Sequence, residues 1–291
     1  SNSEMKIKVF GFLILMAALS CKKSPPIEEY HKGNLTILTD ASFESVTQAL
    51  ADGYMMTYPD TKINVETKKE DHAFMDLLQG KAKIIVMSRD LNEEEAKEYE
   101  RVMDLEYRPD RFAADAVVFV VPNDSPLQSI SMDEIIDALH SEEKKLIFDG
   151  TNSSNLNFVA QKINKKPSDL NFSILSGNEN VIQNMEKYPG KIGVVALNSF
   201  SRPYSKEAEE LRNKVKILPV TVKGKSISPE ILNLANMSYP FTRTLYFLTS
   251  EANFSMANGF IRFSCTHIGQ MIVQKEGLQK YNLYQREVKM Y

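Results

Sequence analysis

The sequence predicts an α/β protein of two lobes with a cleft between them. Three observations carry that expectation. Short apolar runs rich in β-branched residues alternate with segments of helical spacing, the rhythm of a parallel sheet covered by helices on both faces. Loops rich in Ser, Thr and Asp recur where those strands end and helices begin. The chain has 291 residues, 43% hydrophobic and 25% charged, which is ordinary for a globular protein and enough for two medium domains.

Ahead of the first strand, the basic stub Lys6-Ile7-Lys8 runs into the apolar stretch Val9 to Leu19 and then Ser20-Cys21. Residues 1–20 read as an export signal, with Cys21 as the lipid-accepting first residue of the mature chain. The apolar stretch is too short to span a bilayer, which takes about 20 residues. Residues 21–32, polar and carrying Pro25 and Pro26, read as a tether between membrane and domain.

Leu35 to Thr39 is the first strand, and Asp40 and Ser42 are both able to cap the helix that follows. Lys62 to Thr67 is a second strand, Asp71 to Gln79 a short helix, and Lys83 to Met87 a third strand. Asn92 caps the next helix, with Glu93 and Glu94 in its favourable first turn. Ala116 to Val121 is a continuous apolar run suited to a central strand. Ser131 and Glu134 form a capping box for a helix running to Leu139. Leu146 to Phe148 is a strand, followed by the loop Asp149 to Asn155 and a helix from Leu156 to Ile163. Val181 to Lys187 is helical. Ile192 to Ala196, Val215 to Val220 and Tyr246 to Thr249 are strands. Residues 254–277 are largely helical, with Gly259 and Gly269 as interruptions. The division this implies is a first lobe over 33–112 completed by 225–291, a second lobe over 113–219, and a hinge crossover at 220–224.

Composition excludes several classes of function. The formal charge is −3, and removing Glu4, Lys6 and Lys8 with the leader leaves the rest slightly more acidic. That balance offers no nucleic-acid surface. Cys21 and Cys265 are the only cysteines, so a lipidated Cys21 leaves Cys265 without a partner, and it reads as a small buried hydrophobe. His31, His72, His140 and His267 have no metal-ligand spacing. Neither a metal nor a cofactor is expected. The GxSxG, GxGxxG and Walker A patterns are absent, and no enzyme is expected.

Three loops share one placement, each following a short strand and opening a helix: Asp40-Ala41-Ser42-Phe43, Ser88-Arg89-Asp90 and Asp149 to Asn155. Ligands of parallel α/β sheets gather at the carboxyl ends of strands. Free N–H groups at helix starts there bind anions, hydroxyls add donors, and Arg89 offers a two-pronged contact. Ordinary capping explains any one of these loops alone. Three of them, across two lobes and behind an export leader, point to a cleft for a small polar ligand.

Several segments, taken in order, resemble the phosphate-type substrate-binding lipoproteins of bacterial ABC importers. They are Asp40 to Phe43, Ile84 to Leu91, Asp115 to Val121, Ile147 to Ser154, Tyr188 to Val194, Tyr239 to Tyr246, Gly259 to Phe263, and Gly269-Gln270. The resemblance implies a two-lobe type II periplasmic-binding-protein fold in which a dehydrated phosphate sits in the cleft. It matches Ala41, Ser42 and Phe43 from the first loop, Ser88 and Arg89 from the second, and Ser153, Ser154 and Asn155 from the third. By that resemblance Ser42, Ser88 and Ser153 donate hydroxyls, and the amides of Phe43, Ser154 and Asn155 face the oxyanion. Arg89 neutralises it or locks its own loop. Asp40 or Asp149 accepts the proton of hydrogen phosphate and so rejects sulfate, whose missing proton leaves the acceptor unpaired. Better-known phosphate binders carry an arginine just before the third loop, where this chain has Asp149. The implied function is that of a monomeric, lipid-anchored, extracytoplasmic (periplasmic) protein. It would capture inorganic phosphate for an inner-membrane ABC permease. A binder of another oxyanion, or a sensory or surface interaction module on the same fold, is the alternative.

Overall fold

The computed structural model describes residues 30–252 and 254–281. The export signal, Cys21 and most of the tether lie outside the described residues. In chain order the strands are β1 (Lys32–Thr39), β2 (Asp60–Thr67), β3 (Ile84–Met87), β4 (Asp110–Pro122), β5 (Ile130–Ser131), β6 (Leu146–Phe148) and β7 (Ser173–Ile174). They continue as β8 (Ile192–Ala196), β9 (Val215–Leu218), β10 (Val220–Val222), β11 (Lys225–Ile227), β12 (Thr242–Thr249) and β13 (Gln279–Lys280). The helices are α1 (Glu44–Thr57), α2 (Glu70–Leu78), α3 (Glu93–Met103), α4 (Met132–His140) and α5 (Ser154–Lys162). After these come α6 (Asn178–Asn184), α7 (Lys206–Arg212), α8 (Ile231–Ala235), α9 (Met256–Cys265) and α10 (His267–Lys275).

In the first lobe β1 pairs in parallel with both β2 and β3. The twofold alternation of side chains sorts them into two cores. Ile37, Ile84 and Val86 pack with Leu50 of α1 and Phe260 of α9. Their neighbours Leu38, Ile85 and Met87 face the other way, onto Phe74 and Leu77 of α2 and Tyr99 of α3. A sheet covered on both faces explains why β3 reads as an unbroken apolar run. Asn92 caps α3 by accepting from the Glu95 N–H at 2.8 Å, and Glu95 closes a capping box.

β4 belongs to both lobes. Up to Ala116 it pairs with β12 and β13, and from Val117 it pairs with β8 and β9. The strand expected at 116–121 is therefore only its second half. The first half, with Arg111 and Asp115 among its residues, lacks the unbroken apolar character that marks the rest. In the second lobe Val117 to Val121 form a core with Phe148, Leu156, Val181 and Val194. The capping box of α4 forms as the sequence predicts, Ser131 Oγ accepting from the Glu134 N–H at 3.0 Å.

Two expectations need correction. The chain changes core later than 220–224. β11 pairs with β10, and Leu234, Tyr239 and Phe241 pack with Val117 to Val121 in the second lobe. Residues 225–241 stay there because their apolar side chains cover its sheet. The return to the first lobe begins with β12. Second, the helical region near the C-terminus breaks at Thr266 rather than at its glycines. Gly269 lies inside α10, where a Cβ would stand 2.2 Å from the Phe263 carbonyl oxygen. It permits a close approach of backbone instead of ending a helix.

Cys265 is free and half-buried. Burial, with Asp110 nearby, pushes its thiol up to about 12, so it is no nucleophile at neutral pH.

Candidate functional site

The site begins where β1 ends. Asp40 opens a single 3-10 turn, Ala41–Phe43, ahead of α1. Its carboxylate accepts from the Ser42 N–H at 3.0 Å, and its carbonyl accepts from the Phe43 N–H at 3.0 Å. The cap therefore serves that turn rather than α1. The Phe43 amide, expected to face an anion, is used within the turn.

The same carboxylate reaches much further. Oδ2 accepts from the Glu70 N–H at 3.2 Å, at the start of α2, and from the Ser154 N–H at 3.0 Å, at the start of α5. Oδ1 accepts from the Ser154 hydroxyl at 3.1 Å. One carboxylate thus collects donors from three loops and from both lobes, with 2% of Asp40 exposed. Backbone N–H groups at helix starts favour negative charge there.

Around it lies a closed polar network. The Ser42 hydroxyl accepts from Asn178 Nδ2 at 3.1 Å. Asn178 Oδ1 accepts from Asn155 Nδ2 at 2.9 Å and from the Ala196 N–H at 2.9 Å. Asn155 Nδ2 also donates to Asp149 Oδ1 at 3.1 Å. Arg243 Nη2 donates to Asn155 Oδ1 at 2.9 Å, and Arg243 Nε donates to Asp115 Oδ2 at 3.0 Å. The guanidinium lies 4.6 Å from the centre of the Phe43 ring. Its Nη1 is buried and has no hydrogen-bond partner, an unusual state for a buried donor.

Acidic groups outnumber basic ones in this interior. Burial, then the Asp40 carboxylate, push the Asp149 carboxyl up to about 7, with the Asn155 hydrogen bond pulling the other way. Burial also raises Asp115 against the pull of Arg243.

The second loop stands one layer back. The Ser88 N–H and hydroxyl donate to Glu70 Oε2 at 3.0 and 2.6 Å. Burial raises the Glu70 carboxyl, with Arg89 opposing. Arg89 forks onto Glu95 at 2.8 and 2.9 Å and lies 3.5 Å from both Glu70 and Asp71. Burial works against its charge, but Glu95, Glu70 and Asp71 together hold it protonated above the ordinary arginine value. Its guanidinium is thus taken up by Glu95, Glu70 and Asp71. In the third loop Ser153 precedes α5, and its hydroxyl donates to the Thr151 carbonyl at 3.1 Å. Ala41 is exposed.

Further bonds join the lobes beside Asp40. The Asp71 N–H donates to the Asn152 carbonyl at 3.1 Å. Asn157 Nδ2 donates to Asp71 Oδ1 at 2.8 Å, and Gln161 Nε2 to the Asp90 carbonyl at 3.0 Å.

The structure thus brings together Asp40, Ser42, Phe43, Asp149, Ser154 and Asn155, with Ser153 beside them. It adds Glu70, Asp115, Asn178 and Arg243, which sequence reasoning did not select. A signal existed for two of them: Asp115 stands beside the apolar run Ala116 to Val121, and Arg243 is the one charged residue of β12. Among the described residues no group of three or more His, Cys, Asp or Glu is placed to hold a metal ion. No helix there is long and apolar enough to cross a membrane.

Comparison with known proteins places this architecture. A candidate phosphate ABC transporter substrate-binding protein with bound phosphate, from Clostridium perfringens, is similar at a TM-score of 0.68 and 20% identity. The match covers 86% of this chain and 100% of that one. An ABC-type phosphate transport receptor from Vibrio cholerae is similar at 0.65 and 16% identity, covering 86% and 100%. The CcmR regulatory domain of Synechocystis in complex with 2-PG is similar at 0.55 and 14% identity, covering 80% and 95%. These likenesses establish the two-lobe type II periplasmic-binding-protein fold. No curated protein matches the chain in sequence. The model of the PBP superfamily domain matches residues 24–266, a span that includes the second lobe, most of the first and every residue of the network, and the chain accordingly belongs to the PBP superfamily.

Proposed function

We propose that this chain is a lipid-anchored, extracytoplasmic solute-binding protein that captures inorganic phosphate between its lobes and delivers it to an inner-membrane ABC permease. The observation carrying this reading is the convergence of the Ser42, Glu70 and Ser154 N–H groups and the Ser154 hydroxyl on one carboxylate. A carboxylate is itself an oxyanion, so the donors that hold it form a cradle suited to another. Arg243 supplies the positive charge. Its Nη1 is buried without a partner, close to the third loop that lacks an arginine of its own. The descriptions of the similar Clostridium perfringens and Vibrio cholerae structures name phosphate.

In this reading Ser42 and Ser154 donate to the ligand, and Asn155 and Phe43 hold Arg243 in place. Ser88 and Arg89 fix Glu70 and with it the start of α2. Asp149 accepts the proton of hydrogen phosphate. Sulfate brings no such proton and leaves a buried acceptor unpaired, which costs about 1–3 kcal/mol.

Isothermal calorimetry on the chain lacking residues 1–20, stripped of ligand by unfolding and refolding, tests this. Phosphate is expected to bind tightly and sulfate to be excluded. An absence of heat with phosphate, sulfate and arsenate alike would remove the oxyanion reading. A sensory module is the second reading, favoured by the fold shared with the Synechocystis regulatory domain. Phosphate-dependent stimulation of the permease ATPase separates transport from sensing.

A further inference from the structure

Asp40 receives far more than a cap needs. The Ser42 N–H alone would serve the 3-10 turn, yet the carboxylate also takes the Glu70 N–H, the Ser154 N–H and the Ser154 hydroxyl. Three of its four donors come from outside its own loop, and two of those from the opposite lobe. An incoming oxyanion needs those same donors. Two anionic groups sharing one buried set of N–H groups repel strongly where water is excluded, and Asp149 and Glu70 already add acidic groups nearby.

We propose that Asp40 is an internal pseudo-ligand. Its carboxylate fills the oxyanion cradle, holds the lobes together in the ligand-free chain, and must leave before an external oxyanion enters. The inference rests on the oxyanion reading of the cleft. A second observation supports it independently. Arg243 pairs with Asp115 and Asn155, but its Nη1 is buried and unpartnered, so the carboxylate satisfies the N–H donors and leaves one cationic donor unpaired. The bonds of Asp71 to Asn152 and of Gln161 to Asp90 do not involve Asp40. They remain to keep the lobes closed once a ligand has replaced it.

Internal competition of this kind weakens apparent affinity by the fraction of molecules whose cradle is free. It also uncouples closure from binding, because the bonds through Asp40 join the lobes without any ligand. The competing role for Asp40, as a fixed acceptor of the ligand's proton, predicts a mutational effect of opposite sign.

The test uses the chain lacking residues 1–20 as wild type, Asp40→Ala and Asp40→Asn, each stripped of ligand. Phosphate affinity is read by calorimetry and lobe closure by small-angle X-ray scattering with and without phosphate. Wild type is expected to be compact without ligand and unchanged by phosphate. Asp40→Ala is expected to expand when empty, to compact on adding phosphate, and to bind it at least about tenfold more tightly. Asp40→Asn keeps an acceptor oxygen without the charge and is expected to fall between the two. It gives the sign if the alanine variant does not fold. Unchanged or weaker phosphate binding in both variants overturns the proposal, as does an expanded ligand-free wild type. If no protein binds any anion, the oxyanion reading fails. The scattering of empty wild type and Asp40→Ala then still decides whether the carboxylate closes the lobes.

Discussion

Arg243 and Asp115 are direct partners in the β12–β4 ladder, and their side chains meet at 3.0 Å with neither exposed to solvent. Deleting one member of such a pair leaves an uncompensated buried charge, whereas replacing both by apolar groups is often neutral. Arg243→Ala is therefore expected to lower stability by about 3–5 kcal/mol. The double variant Arg243→Met, Asp115→Leu is expected to recover most of that loss. Both should lose phosphate binding. Urea unfolding gives the stabilities and calorimetry the affinities. A stable double variant that binds phosphate like wild type would take Arg243 out of the ligand site.

Arg89 makes a different prediction, because Glu95, Glu70 and Asp71 already occupy its guanidinium. Arg89→Ala should cost about 1–3 kcal/mol of stability and weaken phosphate binding less than Arg243→Ala does. Loss of binding with stability intact would return Arg89 to direct contact with the ligand.

The raised carboxyl of Asp149 sets a pH dependence. A carboxyl whose folded value lies above its unfolded value holds its proton more tightly in the folded chain. Stability then falls as pH rises from the ordinary aspartate value near 4 to about 7, and the penalty is complete above that. Burial raises Glu70 and Asp115 in the same direction. Asp149→Asn keeps an acceptor for Asn155 Nδ2 and is expected to flatten the fall. It should be more stable than wild type above neutral pH by at most about 4 kcal/mol. Thermal melts from pH 4 to 9 check this, and an unchanged pH profile in the variant would contradict it.

Gly269 and Ser131 provide stability predictions away from the site. A Cβ on Gly269 would stand 2.2 Å from the Phe263 carbonyl oxygen, which no side-chain rotation relieves. Gly269→Ala is expected to cost about 1–3 kcal/mol through forced backbone movement. Ser131→Ala removes the cap of α4 and should cost about 1 kcal/mol. Denaturant midpoints measure both.

Most of the strand and helix order was legible in the sequence because it depends on local signals. β-branched residues mark β1, apolar runs mark β3 and the second half of β4, and the Ser131–Glu134 box marks the start of α4. The early half of β4 was hidden, because Asp115 interrupts its apolar character and its partner Arg243 arrives 128 residues later. The same distance hid Arg243 from the site: only the ladder register reveals that the two charges face each other. Asp40, Ser42, Ser154 and Asn155 were selected because helix starts carry their own chemistry. Ser88 and Arg89 were selected by the same reasoning, yet Glu70, a residue with no motif around it, intercepts both. The late change of core at Thr242 was illegible because the apolar side chains of residues 225–241 do not share one fate: Leu234, Tyr239 and Phe241 are buried while Ile231, Leu232 and Met237 are exposed, so apolar character alone does not announce which lobe they cover.

β4 also orders events in time. The second lobe has all its strands and its covering residues Leu234, Tyr239 and Phe241 by residue 241. The first lobe, although it starts earlier in the chain, waits for β12 and β13 to complete its sheet beside the front half of β4. A polypeptide emerging from its N-terminus therefore finishes its later lobe first and holds its earlier one incomplete until β13 has emerged. Pairings between such distant segments are intrinsically slow to form. The half-made sheet exposes β3 along one edge during that interval, and an exposed strand edge is where a growing chain is most open to capture by another.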